Sequence, residues 1–165
     1  MKKIISIAMI AVMCAAFTAC KNDGDTSSGN NGKNESSSVV SAKTASEKAA
    51  ELLKAVTFPE MVSKDMEFIE VTLGITTDMV TEHVYYICGS GAMPDEFGIF
   101  VAPSADKAAE IRSKLINRVD YQRETYATYS PDEAYKLTDY LCEVNGNTVI
   151  YAVCADNTKA REILK

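Results

Sequence analysis

Four stretches of the chain are dense in β-branched and aromatic side chains: HVYYIC at 83–88, EFGIFVA at 96–102, DYLCEV at 139–144 and TVIYAVC at 148–154. Each reads as a strand, because such side chains fit a pleated, half-buried surface. Asn145 and Gly146 tolerate the positive φ of a tight turn, so VNGNT closes the last two runs into a hairpin in which Cys142 faces Val149 or Ile150. The first two runs are joined by the longer loop GSGAMPD. A helical period takes over elsewhere. TASE, Thr44 to Glu47, has a hydroxyl cap with a glutamate three residues on, and predicts a helix over 45–56 with Ala49, Leu52, Leu53 and Val56 on one face. PSADKAAE opens a longer helix, from 105 into the low 120s, whose buried stripe is Ala108, Ile111, Leu115 and Val119. SPDE, Ser130 to Glu133, repeats the cap signature with Pro131 at the first helical position and predicts a short helical turn. A last helix over 158–164 starts from Asp156. The stretch KDMEFIEVTLGITTDM, 64–79, fits a strand as well as a short helix and is read as irregular.

In chain order these are a helix, a hairpin and a helix, then a short helix, a second hairpin and a helix. A shift of 52 residues lays Val101, Lys107, Ala108, Glu110 and Ile111 on Val153, Lys159, Ala160, Glu162 and Ile163. The expected fold class is α+β: a four-stranded antiparallel sheet with helices packed on one face, built as two hairpin-helix units.

The N-terminal residues follow neither period. Lys2 and Lys3 precede an apolar run from Ile4 to Phe17 broken only by Ser6, and small Thr18 and Ala19 lead to Cys20. That is the layout of a secretory signal, and its run of fourteen residues is short of the roughly 20 that a helix needs to cross a bilayer. FTAC at 17–20 resembles the bacterial lipobox, with Phe17 where leucine is usual; Cys14 fits less well, because Met13 before it is large. The resemblance implies that the Cys20 thiol takes a diacylglyceryl group and that cleavage before it makes Cys20 the first mature residue. Two or more acyl chains give stable membrane attachment where one does not, each buried methylene contributing about 0.8 kcal/mol. Lys21 to Ser38 hold no apolar side chain and predict a disordered tether of roughly 25 Å root-mean-square span. The chain thus divides into a signal at 1–19, a lipidated cysteine and tether at 20–42, and one globular domain at 43–165, held on the extracytoplasmic face of a cell membrane.

Charge narrows the partners. Removing residues 1–19 takes two lysines from 17 basic residues and nothing from 23 acidic ones, leaving 15 against 23 and a net charge of −8. No Lys/Arg cluster opposes it, which argues against nucleic acid and anionic head groups.

Candidate chemistry is sparse. His83 is the only histidine and neither CxxC nor HExxH occurs, so no metal site and no cofactor is expected. A Cys-His pair would use His83 as base and Cys88, Cys142 or Cys154 as nucleophile. On one strand His83 and Cys88 face opposite sides about 16 Å apart. Cys142 and Cys154 sit among Leu141, Val144, Val153 and Ala155 and read as small core residues. No catalytic residue is assigned. An exported protein permits disulfides, but Cys142 and Cys154 stand about 13 Å apart along the hairpin against a limit of about 7 Å. Cys88 with one of the others stays open, and an odd count of three predicts reduced thiols. GSG at 89–91 joins two strands and is a turn, not a phosphate loop. Five of the eight tyrosines fall within 121–140, among Asp120, Glu124, Asp132 and Glu133. Tyr121, Tyr126, Tyr129 and Tyr135 form a candidate surface for glycan or peptide; the blander alternative, which residue chemistry favours, tucks their rings under a helix end with the hydroxyls in water.

Together, the capped first helix, YYICGSGAMPDEFGIF, RVDYQRETYATYSPDEAYKL and VNGNTVIYAVCADN resemble a domain of unknown function found in small lipoproteins of Firmicutes. EFGIF and YSPDE are the most specific parts, and the resemblance covers most of 44–165. It implies a Gram-positive surface and supplies no activity, substrate or catalytic residue. Three readings of function follow. The first is a lipid-anchored extracytoplasmic module, not an enzyme, that binds a protein, a cell-wall component or a small ligand. The second is a surface enzyme with an unrecognised carboxylate or cysteine site, marked by a deep pocket lined with such groups. The third is a substrate-capturing lipoprotein of a transporter, which one domain of this size fits poorly for want of a second lobe.

Overall fold

The computed structural model describes residues 43–165; the signal at 1–19, Cys20 and the tether at 20–42 lie outside the described residues. Five antiparallel strands form one sheet in the order β1-β2-β3-β5-β4. They are β1 Met61–Ser63, β2 Glu82–Cys88, β3 Glu96–Val101, β4 Leu141–Asn145 and β5 Thr148–Val153. The α+β class and both expected hairpins are present, joined through β3 and β5. The expected four strands are one short, because β1 is a three-residue edge strand with too little alternation to announce itself.

Among the described residues four α-helices are present: α1 Ala45–Ala55, α2 Met66–Leu73, α3 Ala105–Tyr129 and α4 Asn157–Leu164. They cover both faces of the sheet, not one. Successive strand side chains point to opposite faces, and in the central strands both sets are apolar. Phe97, Ile99, Ile150 and Ala152 pack with Leu52 of α1 and Leu164 of α4. Tyr85, Phe100, Val149 and Val153 pack with Ile69 of α2 and Ile111 and Leu115 of α3. The two hairpin-helix units therefore send their helices to opposite faces, and the internal sequence match is not a structural duplication.

Local chemistry sets the helix ends. Thr44 and Glu47 close the expected capping box of α1, and Ser104 and Asp156 cap α3 and α4. In the stretch read as irregular, Asp65 Oδ1 accepts from Phe68 N at 3.0 Å to start α2, and Gly74 ends it at φ 67°, where a side chain would be strained. Helix α3 runs past the low 120s because Gln122 and Tyr126 extend its buried stripe. SPDE does not act as a capping box. Ser130 ends α3 through its own N–H, and the following 3-10 turn, Ala134–Leu137, has no side-chain cap. The hairpin turn is Gly146 and Asn147, since Asn145 pairs with Thr148; Cys142 consequently faces Tyr151 rather than Val149 or Ile150.

Candidate functional site

The site begins with a missing side chain. Gly98 on β3 lies between Tyr85 on β2 and Tyr151 on β5. A Cβ there would stand 2.5 Å from Phe100 Cε2 and 3.1 Å from Tyr85 Cδ2, so only glycine leaves room for these rings over the sheet. One pleat away on the same face is Glu96, 1% exposed. Its carboxylate accepts from the Tyr151 hydroxyl at 2.6 Å, from Gln122 Nε2 at 2.9 Å and from Arg118 Nη2 at 3.1 Å, with Arg118 Nε at 3.4 Å. Arg118 and Gln122 are one helical turn apart on α3, which aims both at the same strand position. Burial works against the Arg118 charge, but the attraction and hydrogen bonding of Glu96 override it and raise its pKa further. Burial, reinforced by the Glu96 charge, also pushes the Tyr85 and Tyr151 phenols far up, so both stay neutral and Tyr151 donates to Glu96. Two polar atoms in this cluster, Tyr85 Oη and Gln122 Oε1, are buried without a hydrogen-bond partner.

Above the cluster opens a cavity of about 410 Å³. Its walls are Thr72 and Leu73 from the end of α2 and Lys114, Asn117, Arg118 and Tyr121 from α3. Arg118 belongs to both, with one edge on Glu96 and the cavity beside it. The Lys114 ammonium lies 3.5 Å from where a Gly74 Cβ would stand, which places it against the end of α2. Its partner Glu110 is 3.9 Å away and shared with Lys107 at 3.2 Å. Exposed pairs of this kind contribute little.

A second buried polar group sits at one end of the sheet. Lys136 of the 3-10 turn pairs with Asp95 at 2.7 Å and Glu133 at 2.6 Å. Burial raises the Asp95 pKa against the pull of Lys136; burial also opposes the Lys136 charge, but its hydrogen bonds to both carboxylates carry its pKa upward. Asn157 bonds the backbone of Cys154 on both sides and reaches Lys136 O. These contacts fasten the turn and α4 to the sheet, and none of these residues lines the α2–α3 cavity.

The residues singled out from sequence are scattered. Of the four tyrosines only Tyr121 lines the cavity, its ring 65% exposed. Tyr126 is buried and donates to Gly91 O at 2.9 Å, pinning the β2–β3 loop, with Tyr129 edge-on at 6.2 Å. Tyr129 and Tyr135 are exposed and line no part of it. His83 and Cys88 stand at opposite ends of β2 on opposite faces. Cys142 is three strands from His83, roughly 14 Å at about 4.8 Å per strand. Cys154 faces the other side of the sheet. Burial pushes the Cys142 and Cys154 thiols up to about 11, and all three cysteines are free. Cys88 and Cys154 share a row but flank Asp95 two strands apart, roughly 10 Å, too far for a disulfide. Among the described residues no group of three or more His, Cys, Asp or Glu is placed to hold a metal, and no helix is long and apolar enough to cross a membrane.

Sequence reasoning missed Glu96, Arg118, Gln122 and Lys114. One signal was available: Glu96 is a lone acid at the head of a continuous apolar strand, and such a residue needs a buried partner.

Residues 54–154 match the family described as a domain of unknown function, DUF4358, and the chain belongs to that family. The matched segment contains the whole cavity and the Glu96 cluster. No curated protein and no solved structure matches the chain.

Proposed function

We propose that this DUF4358 chain is a lipid-anchored extracytoplasmic binding module that holds its ligand in the α2–α3 cavity. The anchor half rests on sequence: the basic and apolar leader, the FTAC box at Cys20 and the polar stretch after it. A Gram-positive source belongs to the same proposal. The binding half rests on the cavity wall, which offers two cations, an amide, a hydroxyl, a leucine and a tyrosine ring in a volume suited to a small ligand. Binding is favoured over turnover because the wall carries no carboxylate or thiol. Glu96 is sealed behind Arg118, and thiols held near 11 are overwhelmingly protonated at neutral pH. The exposed rings of Tyr129 and Tyr135 leave a separate surface for a protein or wall partner.

Two measurements test the halves separately. Intact mass and membrane fractionation of wild type beside Cys20→Ala should show loss of residues 1–19, a diacylglyceryl adduct and membrane partitioning in wild type alone; identical behaviour of the two sinks the anchor. For binding, Asn117→Trp fills the cavity from an exposed helix position. A ligand that stabilises wild type but not this variant occupies the cavity, and one that stabilises both does not.

A further inference from the structure

We infer that the cavity is built for a carboxylate, carried on a small apolar or aromatic body. The inference rests on the binding reading above and names the ligand class for that site. An arginine carries five N–H donors in a flat fork. Glu96 takes the Nε and Nη2 edge of Arg118, and among the described residues Nη1 has no acceptor. The free end of the fork, Nη1 with the outward N–H of Nη2, presents two parallel donors whose spacing matches the two oxygens of a carboxylate. Arg118 is already held there, because Tyr151 and Gln122 fix the carboxylate on which it rests. A ligand therefore loses little to ordering the side chain that receives it.

Charge bookkeeping at the site points the same way. Glu96 offsets Arg118, Lys114 shares its more distant Glu110 with Lys107, and no acid lines the wall, so the wall itself favours an anion. Lys114 and Arg118 are four residues apart on α3, an arrangement in which like charges repel and which an anion between them relieves. The neutral part of the wall selects the rest of the ligand. Leu73 and the Tyr121 ring offer an apolar surface, and Thr72 and Asn117 offer hydrogen bonds to polar substituents. The same carboxylate chemistry belongs to a free small acid and to the C-terminus of a peptide.

Isothermal titration of the full lipidated chain in detergent separates these cases. The probes are N-acetyl-phenylalanine, its amide, and a hexapeptide ending in phenylalanine. The acid should bind with a dissociation constant in the millimolar range or below, and the amide at least about tenfold more weakly. Lys114→Gln and Arg118→Lys should each weaken the acid about fivefold or more and the amide by a smaller factor. Arg118→Lys keeps a cation on Glu96, and its melting temperature reports whether the fold survives. A peptide that outbinds the acid assigns the site to chain ends; an acid that outbinds the peptide assigns it to small molecules. Equal binding of acid and amide overturns the carboxylate, as does an acid that fails to saturate by roughly 20 mM, well above the affinity expected for a ligand of this size. If the amide binds and Asn117→Trp abolishes it, the binding reading survives and the carboxylate does not.

Discussion

The two faces of the sheet solve the same packing problem with different materials. On the α1/α4 side, Leu52, Phe97, Ile99, Ile150 and Leu164 meet as an apolar layer. On the α3 side, equally buried positions hold Glu96 and Gln122, with Arg118 at the rim and two tyrosines aimed inward. Burying ions costs several kcal/mol each, and a good ion pair at best roughly offsets that, so a fold gains nothing over an apolar filling. At its centre the first face shows that this sheet can be covered without such groups; they recur there only toward the margin, at Asp95, Asn157 and the Arg161–Glu143 pair. Their presence on the second, directly beneath a cavity, is best explained by what they do for Arg118. The Asp95–Lys136 pair is the counterexample to test against, since it is buried away from the α2–α3 cavity and fastens a turn.

The largest effect should come from making the polar face imitate the apolar one in two steps. Glu96→Ala alone leaves Arg118, Gln122 and Tyr151 without their acceptor and should cost about 3–5 kcal/mol in urea denaturation. Glu96→Leu combined with Arg118→Met removes both charges and should return to within about 1 kcal/mol of wild type, or exceed it, while losing the proposed ligand. A double variant as unstable as the single one would mean that the fold itself needs the network, and the contrast between the faces would lose its functional meaning.

The same contrast explains what could be read from the sequence. The capped helices at Thr44, Ser104 and Asp156 and both hairpins were legible, because caps and turns are local chemistry. That both faces are covered was also written in the strands: EFGIFV and TVIYAV are apolar at nearly every position, which a sheet packed on one side does not require. Helix α2 was obscured by Ile69, Val71 and Thr72, whose β-branching favours strands, although Asp65 and Gly74 mark its ends. SPDE misled because its serine was already spent as the end of α3. The site was hardest, since Glu96, Lys114, Arg118 and Thr72 are adjacent only after the sheet and two helices have packed.

Alkaline pH should act on both faces alike, at intermediate size. Cys142 lies on the α3 face and Cys154 on the other, and burial pushes each from 9.0 to about 11. A folded-state pKa raised above the unfolded one contributes stability that is complete below pH 9 and lost as pH rises from 9 toward 11. Each thiol should contribute on the order of 2 kcal/mol to that loss. The raised phenols of Tyr85 and Tyr151 and the raised Lys136 share the sign and extend the loss above pH 10. Melting temperature followed from pH 8 to 11 should therefore fall steadily, with Cys142→Ala and Cys154→Ala each removing a similar share of the slope. Unequal shares would mean that one face admits water.

The smallest predicted effects discriminate best, because two side-chain helix caps, one of them half of a capping box, lie on opposite faces. Thr44 Oγ1 accepts from Glu47 N at 3.2 Å to start α1, and Asp65 Oδ1 accepts from Phe68 N at 3.0 Å to start α2. Removing either, as Thr44→Ala or Asp65→Ala, leaves one helix-end N–H without its cap and should cost about 1 kcal/mol. The stability losses should match while the binding losses do not. Helix α2 carries Thr72 and Leu73 of the cavity wall, so fraying it should loosen the site and weaken the proposed ligand several-fold. Helix α1 touches only the opposite layer, and Thr44→Ala should leave affinity unchanged. Matched losses of affinity in titration would show that the sheet transmits strain from one face to the other; a loss confined to Asp65→Ala locates ligand recognition on the α3 face.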